Sequence, residues 1–208
     1  MIKAPKYWNR GKRILSKRDP VIRKIMKKYK KGFLTTRSKP FYSLCRTVVS
    51  QQVSVASADS IWSKFSKKCK GNIKPKVVLK ISSRDLKSAG LSRQKISYLK
   101  IIARAFENKS FNVRELKNMD DAKAIEYITQ LKGLGVWSAE MFLMFNLNRP
   151  NIFPVKDIGL LRAISNNYKK KYLPPKIFVK KLQKKFSPYC SVATWYLWRS
   201  IDNESIQY

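Results

Sequence analysis

The sequence predicts an all-α protein, a bundle of roughly ten helices. Apolar residues recur at the three- and four-residue spacing of an amphipathic helix along most of the chain. The strict alternation of apolar and polar residues that indicates a β-strand is almost absent. Most of the helical segments also begin or end at residues that commonly start or stop a helix.

The N-terminal half contains a succession of amphipathic segments with recognisable boundaries. Asp19 and Pro20 form the clearest start, because Asp is favoured at the N-cap and Pro in the first helical turn. Gly32 is expected to end that helix. The other predicted helices are a weak one over Tyr7–Ser16, one that starts at Ser38-Lys39-Pro40, one opened by Ser54 or Ser57, a short one from Asn72 and Pro75 through Ile81, and a longer one capped by Ser92.

The C-terminal half contains a predicted helix–turn–helix hairpin over residues 121–147. Asp120 or Asp121 caps its first helix, Ala122–Leu131, and Val136–Leu147 is its second. Three further helices are predicted over Asp157–Tyr168, Pro174–Phe186 and Pro188–Asp202.

Gly133 and Gly135 lie in the turn of this hairpin, in the motif Leu131-Lys-Gly-Leu-Gly-Val-Trp-Ser-Ala-Glu140. Glycine tolerates a tight turn and leaves no side chain between the backbone and a ligand. The helix after Gly135 presents unpaired N–H groups and a positive dipole end, which suit a phosphate. The sequence therefore predicts a phosphate contact through Gly133 and Gly135, flanked by Lys132.

The composition favours a polyanionic partner. Among 208 residues there are 46 Lys and Arg, 12 Asp and Glu and no His, a formal net charge of +34. So large a field of one sign favours nucleic acid, although AT-biased coding would also enrich lysine. Hydrophobic residues make up 44% of the chain, which excludes a disordered protein.

The cysteines argue against a metal centre. Cys45, Cys69 and Cys190 are scattered, no C-x-x-C pair occurs and histidine is absent. Zinc is therefore not expected, and an iron–sulfur cluster held by four cysteines is excluded. Met1–Arg18 has no signal peptide and no run is long enough to cross a membrane, so we expect an intracellular protein without a membrane partner. It would be cytoplasmic and associated with the nucleoid in a prokaryote, or nuclear in a eukaryote. We also expect a monomer.

Several sequence blocks follow one another in a fixed order from about residue 7 to residue 202. They are Asp19-Pro-Val-Ile, Lys39-Pro-Phe-Tyr-Ser-Leu, Val49-Ser-Gln-Gln-Val-Ser-Val-Ala, Gly90-Leu-Ser-Arg-Gln-Lys-Ile, the hairpin with Trp137, Phe153-Pro through Leu161-Arg-Ala, and Phe186-Ser-Pro-Tyr through Trp195-Tyr-Leu-Trp-Arg199. In this order they resemble the helix-hairpin-helix DNA glycosylases, in particular the 3-methyladenine DNA glycosylase II family. The resemblance implies two helical lobes with the hairpin at the cleft, and N-terminal helices packed beside the C-terminal ones. It also implies a single domain over residues 1–208 without a separate N-terminal β domain.

Asp157 aligns with the catalytic aspartate of this family. The family flips a damaged nucleotide out of the duplex and cleaves its N-glycosidic bond, and a carboxylate there stabilises the oxocarbenium-like sugar and orients the attacking water. From the residues alone, Asp157 is also the expected N-cap of the helix that follows it, and both roles are compatible. Where relatives often carry a second acid, this chain has Lys156, which is expected either to contact phosphate or to lower the pKa of Asp157.

The resemblance also assigns a base pocket. Trp137 takes the hairpin position of the Schiff-base lysine of bifunctional relatives, so an AP-lyase step through an imine is not expected. An indole face suits a cationic base. The implied pocket residues are Trp137, Met141, Ile158 and Trp198, and an ordinary core position is the alternative for both tryptophans.

The remaining implied contacts are to DNA and to a cation. Basic residues such as Lys132, Arg93 and Lys95 are expected to flank the DNA. Gln52 aligns with the residue that fills the space left by the flipped base, and Gln51 is expected to support it. The alternative for Gln52 is an ordinary polar residue in a loop between two helices. The backbone carbonyls of Thr129, Leu131 and Leu134 align with those that hold a monovalent cation, Na⁺ or K⁺. We expect no other cofactor.

Together these features predict a monofunctional DNA glycosylase that excises alkylated purines, 3-methyladenine and 7-methylguanine, from damaged double-stranded DNA in base excision repair. A glycosylase for a neutral lesion such as uracil or hypoxanthine is the first alternative. A structure-specific DNA-binding module without catalysis is the second, and an RNA-associated basic protein is the third, although it leaves the ordered motifs unexplained.

Overall fold

The computed structural model describes residues 4–36 and 39–201, and within these ranges it contains twelve α-helices, one 3₁₀ helix and no strand. The all-α prediction is confirmed. In chain order the α-helices are α1 (Trp8–Arg18), α2 (Pro20–Lys28), α3 (Pro40–Ser50), α4 (Val55–Lys68), α5 (Pro75–Lys80), α6 (Ser83–Ser88), α7 (Arg93–Glu107), α8 (Asp121–Thr129), α9 (Val136–Phe145), α10 (Ile158–Tyr168), α11 (Lys176–Phe186) and α12 (Cys190–Arg199). None of these helices combines the length and the apolar character needed to cross a bilayer.

Several predicted helix starts are confirmed by side-chain caps. Asp19 accepts a hydrogen bond from the Ile22 N–H, 2.9 Å away, and Ser92 caps α7 in the same way. Where two caps were open, the structure selects Ser54 for α4 and Asp120 for α8. In each helix the earlier side chain lies three residues before the N–H that it accepts from, as capping geometry requires.

Some boundaries and short elements differ from the sequence prediction. The prediction that Gly32 ends α2 is wrong, because α2 ends at Lys28. The six-residue helix α6 and the 3₁₀ helix Glu115–Asn118 were not predicted, since neither is long enough to show a helical period. The predicted start at Ser38 and the predicted end at Asp202 lie outside the described residues.

The described residues up to Thr36 and from Leu143 onward form one compact unit. In it α12 contacts α1, α2, α10 and α11, and every side chain from Cys190 to Trp198 is buried. Trp8 of α1 meets Trp195 edge-to-face, with ring centroids 5.4 Å apart. The expected packing of the N-terminal helices beside the C-terminal ones is thus present in this unit.

A buried carboxylate, Asp19, also connects three helices of this unit by hydrogen bonds. Asp19 is 1% exposed and accepts hydrogen bonds from the Lys185 ammonium at 2.6 Å and the Tyr168 hydroxyl at 3.1 Å. Burial alone would raise the pKa of Asp19, but these bonds, the Ile22 N–H and the charge of Lys185 outweigh it and lower the pKa. The charged form is therefore the one that the fold stabilises.

The second compact unit consists of the described residues between Lys39 and Phe142. Helix α7 is its centre and contacts α3, α5 and α6. One face of α7, with Leu99 and Ile102, is fully buried, and this leaves its other faces available to line surface pockets. That the whole of 1–208 acts as a single domain stays a prediction.

Candidate active site and nucleic-acid interface

Asp157 caps α10 in the first unit. Its Oδ1 accepts the Leu160 N–H at 2.6 Å, and its backbone N–H donates to the Pro154 carbonyl at 2.8 Å. The residue is 8% exposed. The N-cap that the sequence offered as an alternative is therefore present. It fixes the carboxylate at the positive end of a helix dipole, which stabilises negative charge there.

Trp198 supplies a second hydrogen bond to the same carboxylate. Its indole N–H donates to Asp157 Oδ1 at 2.8 Å. The ring is 1% exposed and lies parallel to Phe145, with centroids 6.3 Å apart. Gly159 makes room for this pair, because a Cβ there would approach Oδ1 to 3.2 Å. The structure therefore brings Asp157 and Trp198 together, but as a carboxylate and its donor, a relation that the sequence did not reveal.

The neighbours of Asp157 in the chain face outward. Ile158, predicted to line the base pocket, is 62% exposed at the start of α10. Lys156 is exposed, and among the described residues its ammonium makes no ion pair. The Lys156 ammonium therefore forms no ion pair with the Asp157 carboxylate.

The predicted hairpin is confirmed in the second unit, with α8 and α9 joined by residues 130–135. Gly133 has a φ of +99°, and a Cβ there would lie 2.3 Å from the Tyr98 ring. No side chain fits, so this glycine is required by the fold itself. Gly135 has nothing within 4 Å of such a Cβ, so its place is open to an approaching ligand.

The loop after α3 is joined to this hairpin. The Gln51 amide donates to the Gly133 carbonyl at 2.8 Å, so the residue expected to support the wedge contacts the turn directly. Gln52 is exposed, and its φ of +54° is uncommon for a residue with a side chain. Such a conformation persists only where the surroundings hold it, and it often marks a functional position.

A surface pocket of about 480 Å³ lies between this loop and the hairpin. Five of the residues that line it were singled out in the sequence: Gln51, Gln52, Gly133, Leu134 and Gly135. Lys95, which the sequence places beside the DNA, also lines it, and its ammonium donates to the Val49 carbonyl at 2.8 Å. Tyr98, which packs under Gly133, was missed. It carries no sequence signal, since its place depends on the packing of α7 against the hairpin.

The other predicted residues of this unit lie on or near the hairpin. Trp137 is half-buried in the first turn of α9, Met141 is 4% exposed one turn later, and Lys132 is exposed in the turn. The Leu131 carbonyl accepts the Leu134 N–H at 3.0 Å. A carbonyl oxygen has two lone pairs, so this bond leaves one for a cation. In the part of the chain that the structure describes, no three His, Cys, Asp or Glu side chains come together as metal ligands.

Comparison with known proteins identifies a family and several related folds. Residues 45–188 match the family described as HhH-GPD superfamily base excision DNA repair protein. A putative DNA-3-methyladenine glycosylase of Bacillus subtilis is 33% identical over 129 residues, which is 62% of this chain but only 45% of that protein's length.

Two solved structures resemble the fold over most of their length. One is DNA-3-methyladenine glycosidase from Bacillus halodurans, with a TM-score of 0.80 and 30% identity over 89% of this chain and 86% of that one. The other is the 3-methyladenine DNA glycosylase of Schizosaccharomyces pombe in complex with abasic DNA, with a TM-score of 0.81 and 26% identity over 96% of this chain and all of that one.

Proposed function

The chain belongs to the HhH-GPD superfamily of base excision DNA repair proteins, and on that premise we propose that it is a monofunctional DNA glycosylase that removes alkylated purines from duplex DNA. The observation that carries the proposal is the Asp157 carboxylate, held at the start of α10 by a backbone N–H and by the Trp198 indole. A fixed carboxylate of this kind suits a reaction in which positive charge develops on a sugar.

The proposed reaction is hydrolysis of the bond between C1′ and the base nitrogen. The bonding electrons leave with the base, which departs neutral if alkylation has made it cationic. Water adds to C1′ from the other side and gives up a proton, either to Asp157 or to solvent. Asp157 stabilises the oxocarbenium-like sugar between these events and orients the water.

The chemistry of the residues proposed to contact the base favours cationic bases. A neutral base such as uracil needs a hydrogen-bond donor to assist its departure. Met141 and Ile158 offer none, and the Trp198 N–H is already donated to Asp157. An alkylated purine needs less assistance, and the indole face of Trp137 attracts its charge by about 1–2 kcal/mol.

The absence of an amine at position 137 supports a monofunctional enzyme. A lyase step requires a primary amine that attacks C1′ and forms an imine. The indole nitrogen of Trp137 is not nucleophilic, so the product we expect is an intact strand with an abasic site.

We also propose how the DNA is held near the lesion. The open position at Gly135 lets a phosphate approach the N–H groups at the start of α9. Gln52 enters the space left by the flipped nucleotide. The adjacent Gln51 donates to the Gly133 carbonyl and so ties the wedge loop to the hairpin. The carbonyls of Thr129, Leu131 and Leu134 are neutral oxygen donors that would hold Na⁺ or K⁺ beside that phosphate.

The test is base release from duplexes that each carry a single lesion. We expect free 3-methyladenine or 7-methylguanine, with the strand uncut until alkali is added. Release of uracil or hypoxanthine alone would replace the alkylpurine assignment with a neutral lesion. Strand cleavage without alkali would refute the monofunctional mechanism. Tight DNA binding with no release from any lesion would refute catalysis and favour a DNA-binding module.

A further inference from the structure

The second unit has a basic groove of about 660 Å³ between α6 and α7, on a different face of α7 from the hairpin pocket. We call it the α6–α7 groove. Its floor is the buried Ile96, and two serine side chains lie among its walls. Its cationic residues are Arg84, Lys87, Arg93, Lys100 and Arg104. Among the residues that the structure describes, no acidic side chain lines it.

The side chains of these five cations make no hydrogen bond and no ion pair within the described part of the chain. The nearest acid in sequence, Asp85 of α6, is bound by the Lys68 ammonium at 3.2 Å and the Ser82 hydroxyl at 2.6 Å, and it interacts with Arg84 only through the longer-range attraction of their charges. The positive charge of the α6–α7 groove is therefore available to an external anion.

The spacing of the cations along α7 suits an extended anion. Arg93, Lys100 and Arg104 are separated by seven and four residues, which places them on one helix face. At 1.5 Å per residue they span about 16 Å, roughly half a turn of duplex DNA. A row of that length matches successive phosphates of a backbone better than it matches a single small anion.

The hairpin pocket differs in charge from this groove. Its one lysine, Lys95, already donates to the Val49 carbonyl, and burial lowers its pKa. The polar side chains around it are mainly glutamines. The second unit thus offers two kinds of anion contact on different faces of α7. The hairpin side presents neutral donors and backbone N–H groups, and the α6–α7 groove presents cationic side chains.

We propose that the α6–α7 groove binds the sugar-phosphate backbone of duplex DNA away from the lesion. The identity of the partner rests on the proposed function, since a glycosylase must hold long undamaged duplex while it searches. The groove supplies sequence-independent, salt-dependent affinity, and the hairpin and the wedge loop supply the contacts at the damaged nucleotide.

The experiment measures binding of undamaged duplex by the full-length protein at several salt concentrations. Lys87→Gln with Lys100→Gln removes two cations and should lower the salt slope of log K by about 1.8, because each phosphate contact contributes about 0.9. Between 50 and 200 mM salt the wild type would then lose about tenfold more affinity than the variant. Lys87→Gln alone should give half the change in slope.

The matched control is Lys180→Gln with Lys184→Gln on α11, which removes the same charge from two exposed lysines. An equal effect in both double variants would overturn the inference, because net charge rather than the groove would then explain it. A larger loss with double-stranded RNA or anionic vesicles than with DNA would overturn the choice of partner. Undamaged duplex is the probe, so the outcome is independent of base excision: an inactive chain can still show the difference, and an active chain without it refutes only the groove.

Discussion

Replacing Trp198 by Phe removes one hydrogen bond from Asp157 and keeps an aromatic ring. The ring can still lie parallel to Phe145 and fill the buried space in α12. Hydrogen bonds to charged groups contribute about 1.5–3 kcal/mol. If that bond holds the carboxylate in its productive position, its loss should slow base excision about tenfold to a hundredfold. DNA affinity should change little, because the bond makes no contact with phosphate.

The assay is single-turnover base release at saturating enzyme, with duplex affinity and the melting temperature measured in parallel. Trp195→Phe is the matched control, since Trp195 is a buried tryptophan of the same helix whose ring contacts Trp8 instead. Wild-type rates in Trp198→Phe would refute the positioning role of this hydrogen bond. Equal losses of rate in both variants would show that damage to α12 is responsible.

Three further predictions concern the hairpin, the wedge and the buried Asp19. Gly133→Ala should destabilise the fold by roughly 2–4 kcal/mol in urea unfolding, because its Cβ would meet Tyr98 at 2.3 Å. Gly135→Ala has space and should keep wild-type stability while it weakens DNA binding; equal stability of the two variants would contradict this reading. Gln52→Gly should keep or raise stability by up to about 1 kcal/mol, since it relieves a φ of +54°, yet slow excision; a variant with full activity would remove Gln52 from the wedge. Asp19→Asn should cost about 1–2 kcal/mol at pH 7. Because folding lowers the pKa of Asp19, that difference should be present above about pH 4 and shrink as the pH falls through the folded-state pKa, as pH-dependent unfolding would show.

The sequence was sufficient for the elements whose signal is local. The cap and the proline at Asp19-Pro20, the cap at Ser92 and the two hairpin glycines all act within a few residues, so their geometry follows from the chain itself. Helix α6 was not predicted, because six residues are too few to show a helical period.

The contacts that define the candidate site depend instead on distant parts of the chain. Trp198 donates to Asp157 across 41 positions, and Gln51 reaches Gly133 across 82. The periodicity of the sequence predicts whether each of these residues lies in a helix or in a loop. It does not predict which distant residue each one contacts in the folded chain. The φ of Gln52 is likewise set by how α3 ends against its surroundings and carries no pattern in the sequence.

The most direct test of the account compares the wild type with Asp157→Asn in base release from methylated duplex. Asn caps a helix about as well as Asp, so the fold should survive while the charge is lost. We expect excision to fall by about a hundredfold to a thousandfold, with duplex affinity within a few-fold of the wild type. Asp120→Asn, the same change at the exposed cap of α8, should leave excision intact. Wild-type excision by Asp157→Asn would contradict the central claim that this carboxylate drives the reaction.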